Sequence, residues 1–171
     1  KGSADLSGEI SIKGSKNSAL PIMVSALLSE DVLKLKNIPK LADIENMSKL
    51  LRNYGATIKS NRDNIEINCK KIINRDADYD IVRKMRASIL ILGPLLSRFG
   101  KAKISLPGGC AIGTRPIDIH LDGLKKLGAN FKFENGYVFG LVNKQLIGSH
   151  VKLSFPSVGA TENIMMAAVK A

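Results

Sequence analysis

The sequence predicts an α/β fold in which one chain repeats the same order of helices and strands. Three observations support this prediction. Apolar residues recur every three or four positions in stretches long enough for helices. Shorter segments alternate apolar and polar residues around polar turns, which is typical of β-hairpins. The whole order of segments recurs after about 70 residues, as expected for an internal structural repeat.

Each copy of the repeat is predicted to form an apolar helix, a strand, an amphipathic helix and a hairpin, in that order. In the first copy these segments are residues 19–28, 32–35, 43–54 and 57–67. In the second copy they are residues 87–99, 102–106, 117–127 and 130–139. Gly55 and Gly128 follow the amphipathic helices, at the position where a left-handed residue commonly ends a helix.

The two copies differ in the loop that precedes the amphipathic helix. Segment 25–29 aligns with segment 93–97 at an offset of 68 residues, and segment 54–56 aligns with segment 127–129 at an offset of 73. The second copy therefore holds extra residues, which lie in the glycine-rich segment 108–113. Loops added to a repeated scaffold often carry function.

A third copy is expected to begin near Thr161, where segment 161–168 has the character of another buried first helix. We expect residues 1–14 to form a first strand that belongs to another domain. Residues 15–171 are then a substrate-binding domain made of two repeats and the start of a third. An apolar helix with nothing after it would lack partners, so we expect the chain to be an N-terminal piece of a longer protein.

Composition excludes several classes of protein. With 171 residues and 44% hydrophobic side chains, the chain is expected to be globular. Its longest uncharged apolar run, 87–97, is about half of the roughly 20 residues that span a membrane. No signal-peptide pattern opens the chain, so a cytoplasmic location is expected. Two cysteines, Cys69 and Cys110, are too few for a disulfide framework and are expected to be free thiols.

The net charge of +11 allows two interpretations. A basic surface attracts nucleic acid, whereas basic pockets hold phosphorylated small molecules. Many of the lysines lie on predicted surface helices and turns, namely Lys34, Lys36, Lys40, Lys70, Lys71, Lys125 and Lys126. No zinc-finger spacing or aromatic RNA-binding signature accompanies them, so nucleic-acid binding stays the alternative hypothesis.

Cationic residues stand at the predicted starts of the first helices. Lys16 and Asn17 precede the first apolar helix, and Arg86 holds the corresponding place in the second copy. Helix N-terminal amides together with such cations can bind an anion. Ordinary capping by Ser15 or Asn17 is the alternative. Two equivalent cationic helix starts suggest one shared anion site.

Cys110 is the candidate for chemistry. It stands in the loop Pro107-Gly-Gly-Cys-Ala-Ile-Gly113, whose glycines let a substrate approach the main chain closely. Arg115 and Lys16 would favour its thiolate, although the residue could also be a small side chain in a tight turn. Cys69 alternates with isoleucines and is expected to fill the core.

The loop leads into Arg115-Pro-Ile-Asp-Ile-His120, where Pro116 and Asp118 are also good helix starters. His120 is interpreted as a packing or surface residue, since no partner lies at metal-ligand spacing. By the symmetry of the repeat, the loop 155–161 should line the same cleft. No metal and no cofactor are expected.

Together these motifs, with Gly14-Ser-Lys-Asn17, Arg86-Ala-Ser88 and Ser157-Val-Gly-Ala-Thr-Glu-Asn163, resemble the UDP-N-acetylglucosamine enolpyruvyl transferases over nearly the whole chain. The cysteine loop distinguishes them from the sibling 5-enolpyruvylshikimate-3-phosphate synthases, which share the repeat. The resemblance implies an inside-out α/β barrel domain of the enolpyruvyl transferase type, built from βαβαββ-like units and incomplete in this chain.

The resemblance also implies substrates and residue roles. Family members transfer the enolpyruvyl group of phosphoenolpyruvate to UDP-N-acetylglucosamine, in the first committed step of peptidoglycan synthesis, and are inhibited by fosfomycin. Cys110 would be the general acid, and Lys16, Asn17 and Arg115 would contact phosphoenolpyruvate. The UDP-sugar would be held by Arg86, Arg115, Pro116, Ile117, Asp118, Ile119, Ser157 and Val158. Some members have a lysine where this chain has Phe155-Pro156, so that contact is missing or replaced. The family's aspartate base would lie in the missing C-terminal part, and neither nucleic acid nor membrane is an expected partner.

Overall fold

The computed structural model describes residues 2, 7–73, 82, 85–105 and 117–171, and only the backbone of Arg86. Three predicted site residues, Cys110, Arg115 and Pro116, lie outside the described residues.

The first copy of the repeat forms the predicted elements in the predicted order. Helix α1, Lys16–Ser25, continues into a 3₁₀ turn at Ala26–Leu28. Strand β1 and helix α2 follow, and then the hairpin of β2 and β3, with bounds Val32–Leu35, Ala42–Asn53, Thr57–Asn61 and Asn64–Asn68. Strand β3 lies between β1 and β2 and is antiparallel to both. Its Ile65 and Ile67 are buried, so the alternating pattern of the sequence directs one face of the sheet to the core.

The second copy repeats this arrangement. A 3₁₀ segment, Arg86–Ile91, leads into helix α3, Leu92–Phe99. Strand β4, helix α4 and the strands β5 and β6 follow, with bounds Lys101–Ser105, Asp118–Lys126, Ala129–Glu134 and Tyr137–Val142. Strand β6 takes the middle place, antiparallel to β4 and β5. The internal repeat predicted from the sequence is therefore confirmed.

Turn chemistry explains where the elements end. Gly55 and Gly128 have φ angles of 106° and 96°, as predicted for residues that follow the amphipathic helices. In the second hairpin Asn135 and Gly136 both have positive φ, at 49° and 78°, which is the pattern of a two-residue turn matched to the twist of the strands. The hairpins therefore have the tight turns that their sequences predict.

The first helices of the copies meet in a common core. Helix α5, Val158–Ala168, is the helix predicted for the third copy. It contacts α3, the 3₁₀ segment 86–91 and α1, and α1 contacts the same 3₁₀ segment. Apolar side chains of all these elements, such as Met23, Leu95 and Met166, belong to one buried cluster. The amphipathic helices lie beside this core, with α2 against α1 and α4 against α5.

One expectation about the elements needs correction, and another, the strand that would belong to a different domain, is not tested. Helix α5 begins at Val158 and not at residue 161, because the Ser157 hydroxyl accepts a hydrogen bond from the Ala160 N–H and caps the helix earlier. In residues 2 and 7–14, the described part of the range 1–14, the predicted strand is not formed. Ile10 and Ile12 are 87% and 85% exposed. Because a strand requires a hydrogen-bonded neighbour, the pattern of this segment alone does not make one. Its assignment to another domain stays a prediction.

The exposure of the lysine side chains agrees with the prediction from the sequence. All seven lysines predicted to lie on the surface are exposed: Lys34, Lys36, Lys40, Lys70, Lys71, Lys125 and Lys126. In the part of the chain that the structure describes, every helix is too short or too polar to cross a membrane.

Candidate active site

The predicted site residues stand at the starts of helices. Lys16 and Asn17 are the first residues of α1, and Arg86 is the first residue of the 3₁₀ segment that leads into α3. Asp118 and Ile119 open α4, and Val158 opens α5 directly after Ser157. The first amides of a helix have no partner within it and carry partial positive charge. The site predicted from the sequence is thus a set of helix starts suited to anions.

The entry to α1 is held in place by the loop around Asn37. The Gly14 N–H donates to the Asn37 carbonyl at 3.1 Å, and the Asn37 amide donates to the Ile12 carbonyl at 3.3 Å. A side chain at Gly14 would collide with the Asn37 carbonyl, so the close approach requires glycine. Lys16 follows Gly14 by two residues, so these hydrogen bonds also restrain the backbone at Lys16.

Lys16 forms an ion pair that the sequence analysis did not find. Its Nζ lies 2.9 Å from a carboxylate oxygen of Asp43, in the first turn of α2. The two side chains are 46% and 34% exposed, so the ammonium is oriented but still open to solvent. In the sequence Asp43 has the pattern of an ordinary acidic residue at a helix start, which hides this pairing. The Asn17 side chain is exposed.

The start of α4 combines an exposed acid with apolar anchors. Asp118 is exposed, while Ile117 and Ile119 contact the hydrophobic core. His120, the next residue, is half-buried, and burial lowers its pKa to about 4. Its Nδ1 lies 3.1 Å from the amide nitrogen of Asn163. The interpretation of His120 as a packing residue agrees with these contacts. Among the described residues, no group of His, Cys, Asp or Glu side chains is placed to hold a metal ion.

The start of α5 shows that Ser157 has a structural role. Its hydroxyl caps the helix by accepting from Ala160, and its carbonyl accepts from the Thr161 hydroxyl at 2.8 Å. The hydroxyl hydrogen of Ser157 can still be donated to a ligand. Val158 is 77% exposed and leaves the helix start open.

The helices that carry these starts belong to one packed body, because α1, the 3₁₀ segment and α5 contact one another and α4 contacts α5. Whether Lys16 and Arg86 share one anion site stays a prediction, since the Arg86 side chain is not described. Cys69 is confirmed as a core residue. It is fully buried, and burial raises its pKa to about 11 despite the opposing charge of Arg98.

Lys16, oriented by Asp43, and the helix starts supply positive charge to the described part of the site, and anion binding there stays a prediction. The candidate reactive residue of the site, Cys110, precedes α4 in the sequence and lies outside the described residues. The predicted binding residues are thus spread over helix starts in all three copies of the repeat, and the predicted reactive residue belongs to the second copy.

Comparison with known proteins identifies relatives over the whole chain. A family model described as EPSP synthase (3-phosphoshikimate 1-carboxyvinyltransferase) matches residues 1–171. A UDP-N-acetylglucosamine 1-carboxyvinyltransferase from Pelagibacter ubique is 52% identical over 167 residues, covering 98% of this chain and 40% of the relative. A protein of the same name from Yersinia pestis is 49% identical over 171 residues. The chain spans about 40% of the length of the curated relatives it matches.

Solved structures show the same fold. The enolpyruvyl transferase NikO from Streptomyces tendae superposes with a TM-score of 0.77 at 18% identity, covering 96% of this chain and 38% of the other. The EPSP synthase of Acinetobacter baumannii gives a TM-score of 0.75, also at 18% identity. The α/β repeat described above is therefore the enolpyruvyl transferase fold predicted from the sequence.

Proposed function

Because the chain belongs to the EPSP synthase family of enolpyruvyl transferases, we propose that the full-length protein transfers the enolpyruvyl group of phosphoenolpyruvate to the 3′-hydroxyl of UDP-N-acetylglucosamine. The supporting observation is the identity of about half of all residues to relatives named for this UDP-sugar, across 98% of the chain. This function would make the protein a cytoplasmic enzyme of cell-wall synthesis and a target of fosfomycin.

The proposed reaction is an addition followed by an elimination. The 3′-hydroxyl gives its proton to a base as its oxygen bonds to C2 of phosphoenolpyruvate, while C3 gains a proton from an acid. A base then removes a proton from C3 as phosphate leaves C2, which restores the double bond. The phosphate and carboxylate of phosphoenolpyruvate stay negatively charged through both steps, and the departing phosphate gains further negative charge. Fixed cations and helix-start amides stabilise such charge without having to reorganise during the reaction.

The described residues suit the binding roles in this proposal. Lys16 and Asn17, at the start of α1, would contact phosphoenolpyruvate together with Arg115. The starts of α4 and α5, with Ile117, Asp118, Ile119, Ser157 and Val158, would hold the UDP-sugar with Arg86, Arg115 and Pro116. Cys110 would supply the proton to C3.

The proposed function is tested by measuring phosphate release from phosphoenolpyruvate by the full-length protein. We expect release with UDP-N-acetylglucosamine and none with shikimate 3-phosphate, the acceptor of the sibling enzymes that the family model is named for. Release with shikimate 3-phosphate alone would overturn the substrate assignment. The 171-residue chain by itself serves as a control, and the sequence-based expectation is that it does not turn over.

The Lys16–Asp43 pair yields a second prediction. If Asp43 orients the Lys16 ammonium for phosphoenolpyruvate, Asp43→Asn should raise the KM for this substrate roughly threefold to tenfold. Stability should change by less than about 1 kcal/mol, because partly exposed ion pairs contribute little. Steady-state kinetics with saturating UDP-sugar measure the effect.

A double-variant cycle, and a second ion pair that serves as a control, make this test more specific. In a Lys16→Met background, Asp43→Asn should have no further effect on KM, because the carboxylate then has nothing to orient. Asp63 pairs with Lys13 at 3.9 Å on the surface, and Asp63→Asn should leave KM unchanged. Additive effects of Lys16→Met and Asp43→Asn would contradict a role of Asp43 through Lys16.

A further inference from the structure

Asn163, in the middle of α5, is a fully buried polar side chain that the proposed reaction does not use. Its Oδ1 accepts a hydrogen bond from the Gly93 N–H at 2.7 Å. Its Nδ2 donates to the Ile89 carbonyl at 3.1 Å and lies 3.1 Å from Nδ1 of His120. One amide thus joins the second copy of the repeat, the third copy and the helix that follows the cysteine loop.

The orientation of the Asn163 amide is determined by main-chain groups on both sides. The Gly93 N–H can only donate, so the atom facing it must be the amide oxygen. The Ile89 carbonyl can only accept, so the atom facing it must be the amide nitrogen. The flipped amide would lose both bonds in a buried place, which is costly.

The amide in turn determines the protonation of His120. The amide nitrogen of Asn163 has a second hydrogen to donate and cannot accept, so the ring nitrogen 3.1 Å away, Nδ1, must be the acceptor and cannot carry a proton. Burial also favours the neutral ring, with a pKa of about 4. A neutral ring with a bare Nδ1 carries its proton on Nε2.

Close packing around Asn163 and His120 restricts how far the starts of α4 and α5 can move relative to each other. At Gly93 a side chain would collide with the backbone and side chain of Asn163, so α3 and α5 approach as closely as glycine permits. At the start of α5 the His120 ring lies against Gly159, where an added Cβ would be 3.5 Å from the ring. His120 therefore connects the start of α4 both to the middle of α5 and to its first turn.

We propose that Asn163 is a positioning residue: through His120 it holds the start of α4, with Asp118 and Ile119, at a fixed separation from the start of α5, with Ser157 and Val158. These are the two segments assigned to the UDP-sugar, so the role in substrate binding rests on the proposed function. Asn163 itself is fully buried in the middle of α5 and acts only through its neighbours.

The kinetic test compares variants of the full-length protein. Asn163→Ala should raise the KM for UDP-N-acetylglucosamine about tenfold, the value of one well-placed hydrogen bond, and should change the KM for phosphoenolpyruvate much less. His120→Leu should have the same effect. His120→Asn, which keeps an acceptor near the position of Nδ1, should recover a large part of the affinity. Asn130→Ala, at an exposed position on β5, is the matched control and should leave both constants unchanged.

A spectroscopic measurement separates this proposal from the proposed function. In ¹⁵N-histidine-labelled protein without substrates, the His120 signals, assigned with the His120→Asn variant, should show a bare Nδ1 and a protonated Nε2. In Asn163→Ala this preference should be lost. A protonated Nδ1 in the parent protein would overturn the proposal whatever the substrate is. Equal losses of affinity for both substrates in Asn163→Ala would overturn it as well. Absence of turnover with UDP-N-acetylglucosamine in the parent would overturn the proposed function and leave the tautomer result standing.

Discussion

Fosfomycin should alkylate Cys110 and leave Cys69 unmodified when the full-length protein is treated in the presence of UDP-N-acetylglucosamine. The thiolate is the reactive form of cysteine, and its population depends on the pKa. Burial raises the pKa of Cys69 to about 11, and its side chain is closed to solvent. Cys110 belongs to the glycine-rich segment 107–113, five residues before Arg115 in the sequence, and this neighbourhood is predicted to favour the thiolate.

The loss of Cys110 should also have a large effect on turnover. If Cys110 is the general acid, Cys110→Ala should lower kcat by about a hundredfold to ten-thousandfold, the usual contribution of a positioned proton donor. Cys110→Asp should keep activity and resist fosfomycin, because a carboxyl group can transfer the proton but is not alkylated in the same way. Cys69→Ala is the control and should keep turnover.

Peptide mass mapping after treatment measures the modification, and phosphate release measures turnover. Iodoacetamide, a thiol reagent unrelated to the substrates, should show the same preference for Cys110. An adduct on Cys69 with Cys110 untouched, or full activity in Cys110→Ala, would remove Cys110 from the mechanism.

The sequence predicts the repeat well because the repeat depends on local signals. Apolar periodicity and glycine at helix ends act within a few residues of each other, and the positive φ angles of Gly55 and Gly128 appear where these signals place them. The positions of Lys16 and Asp118 at helix starts follow from the same local rules, whereas Ser157 is predicted in a loop and instead caps a helix that begins three residues earlier than predicted. The strand expected in residues 1–14 needs a partner strand, which no local pattern can supply.

Contacts between distant residues could not be predicted in this way. Asp43 reaches Lys16 from the next helix, and Asn163 reaches Gly93 over 70 positions of sequence. Both are polar residues in helices, where a single sequence suggests only capping or solvent exposure. The repeat does not predict such contacts either, because equivalent positions in the two copies can hold different side chains. Aligning the copies places Arg98 on Glu30, a residue of opposite charge.

Arg98 makes several such distant contacts. Its Nη1 donates to the carbonyls of Leu27, Ser29 and Cys69, at 3.0, 3.1 and 2.8 Å. Leu27 and Ser29 stand at the end of the first helix, where carbonyls lack partners within the helix. A cation there also interacts favourably with the helix dipole. Arg98 therefore fastens the end of α3 to the first copy of the repeat, and its side chain is only 9% exposed.

Replacing Arg98 by methionine should destabilise the protein by about 3 kcal/mol, since hydrogen bonds from a charged group are lost and carbonyls are left without partners. Arg98→Lys should recover only part of this lost stability. The ammonium keeps the positive charge, but it lacks the planar fork that reaches several carbonyls. The exposed Arg52, which donates a single 3.3 Å bond to the Ile58 carbonyl, is the matched control, and Arg52→Met should cost less than about 0.5 kcal/mol. Amide hydrogen exchange of the full-length protein measures this junction directly. In Arg98→Met, exchange should become faster than in the parent protein, and more so in segments 27–31 and 69–71 than elsewhere. Equal protection of these segments in the parent protein and in Arg98→Met would show that apolar packing holds the two copies together without the guanidinium.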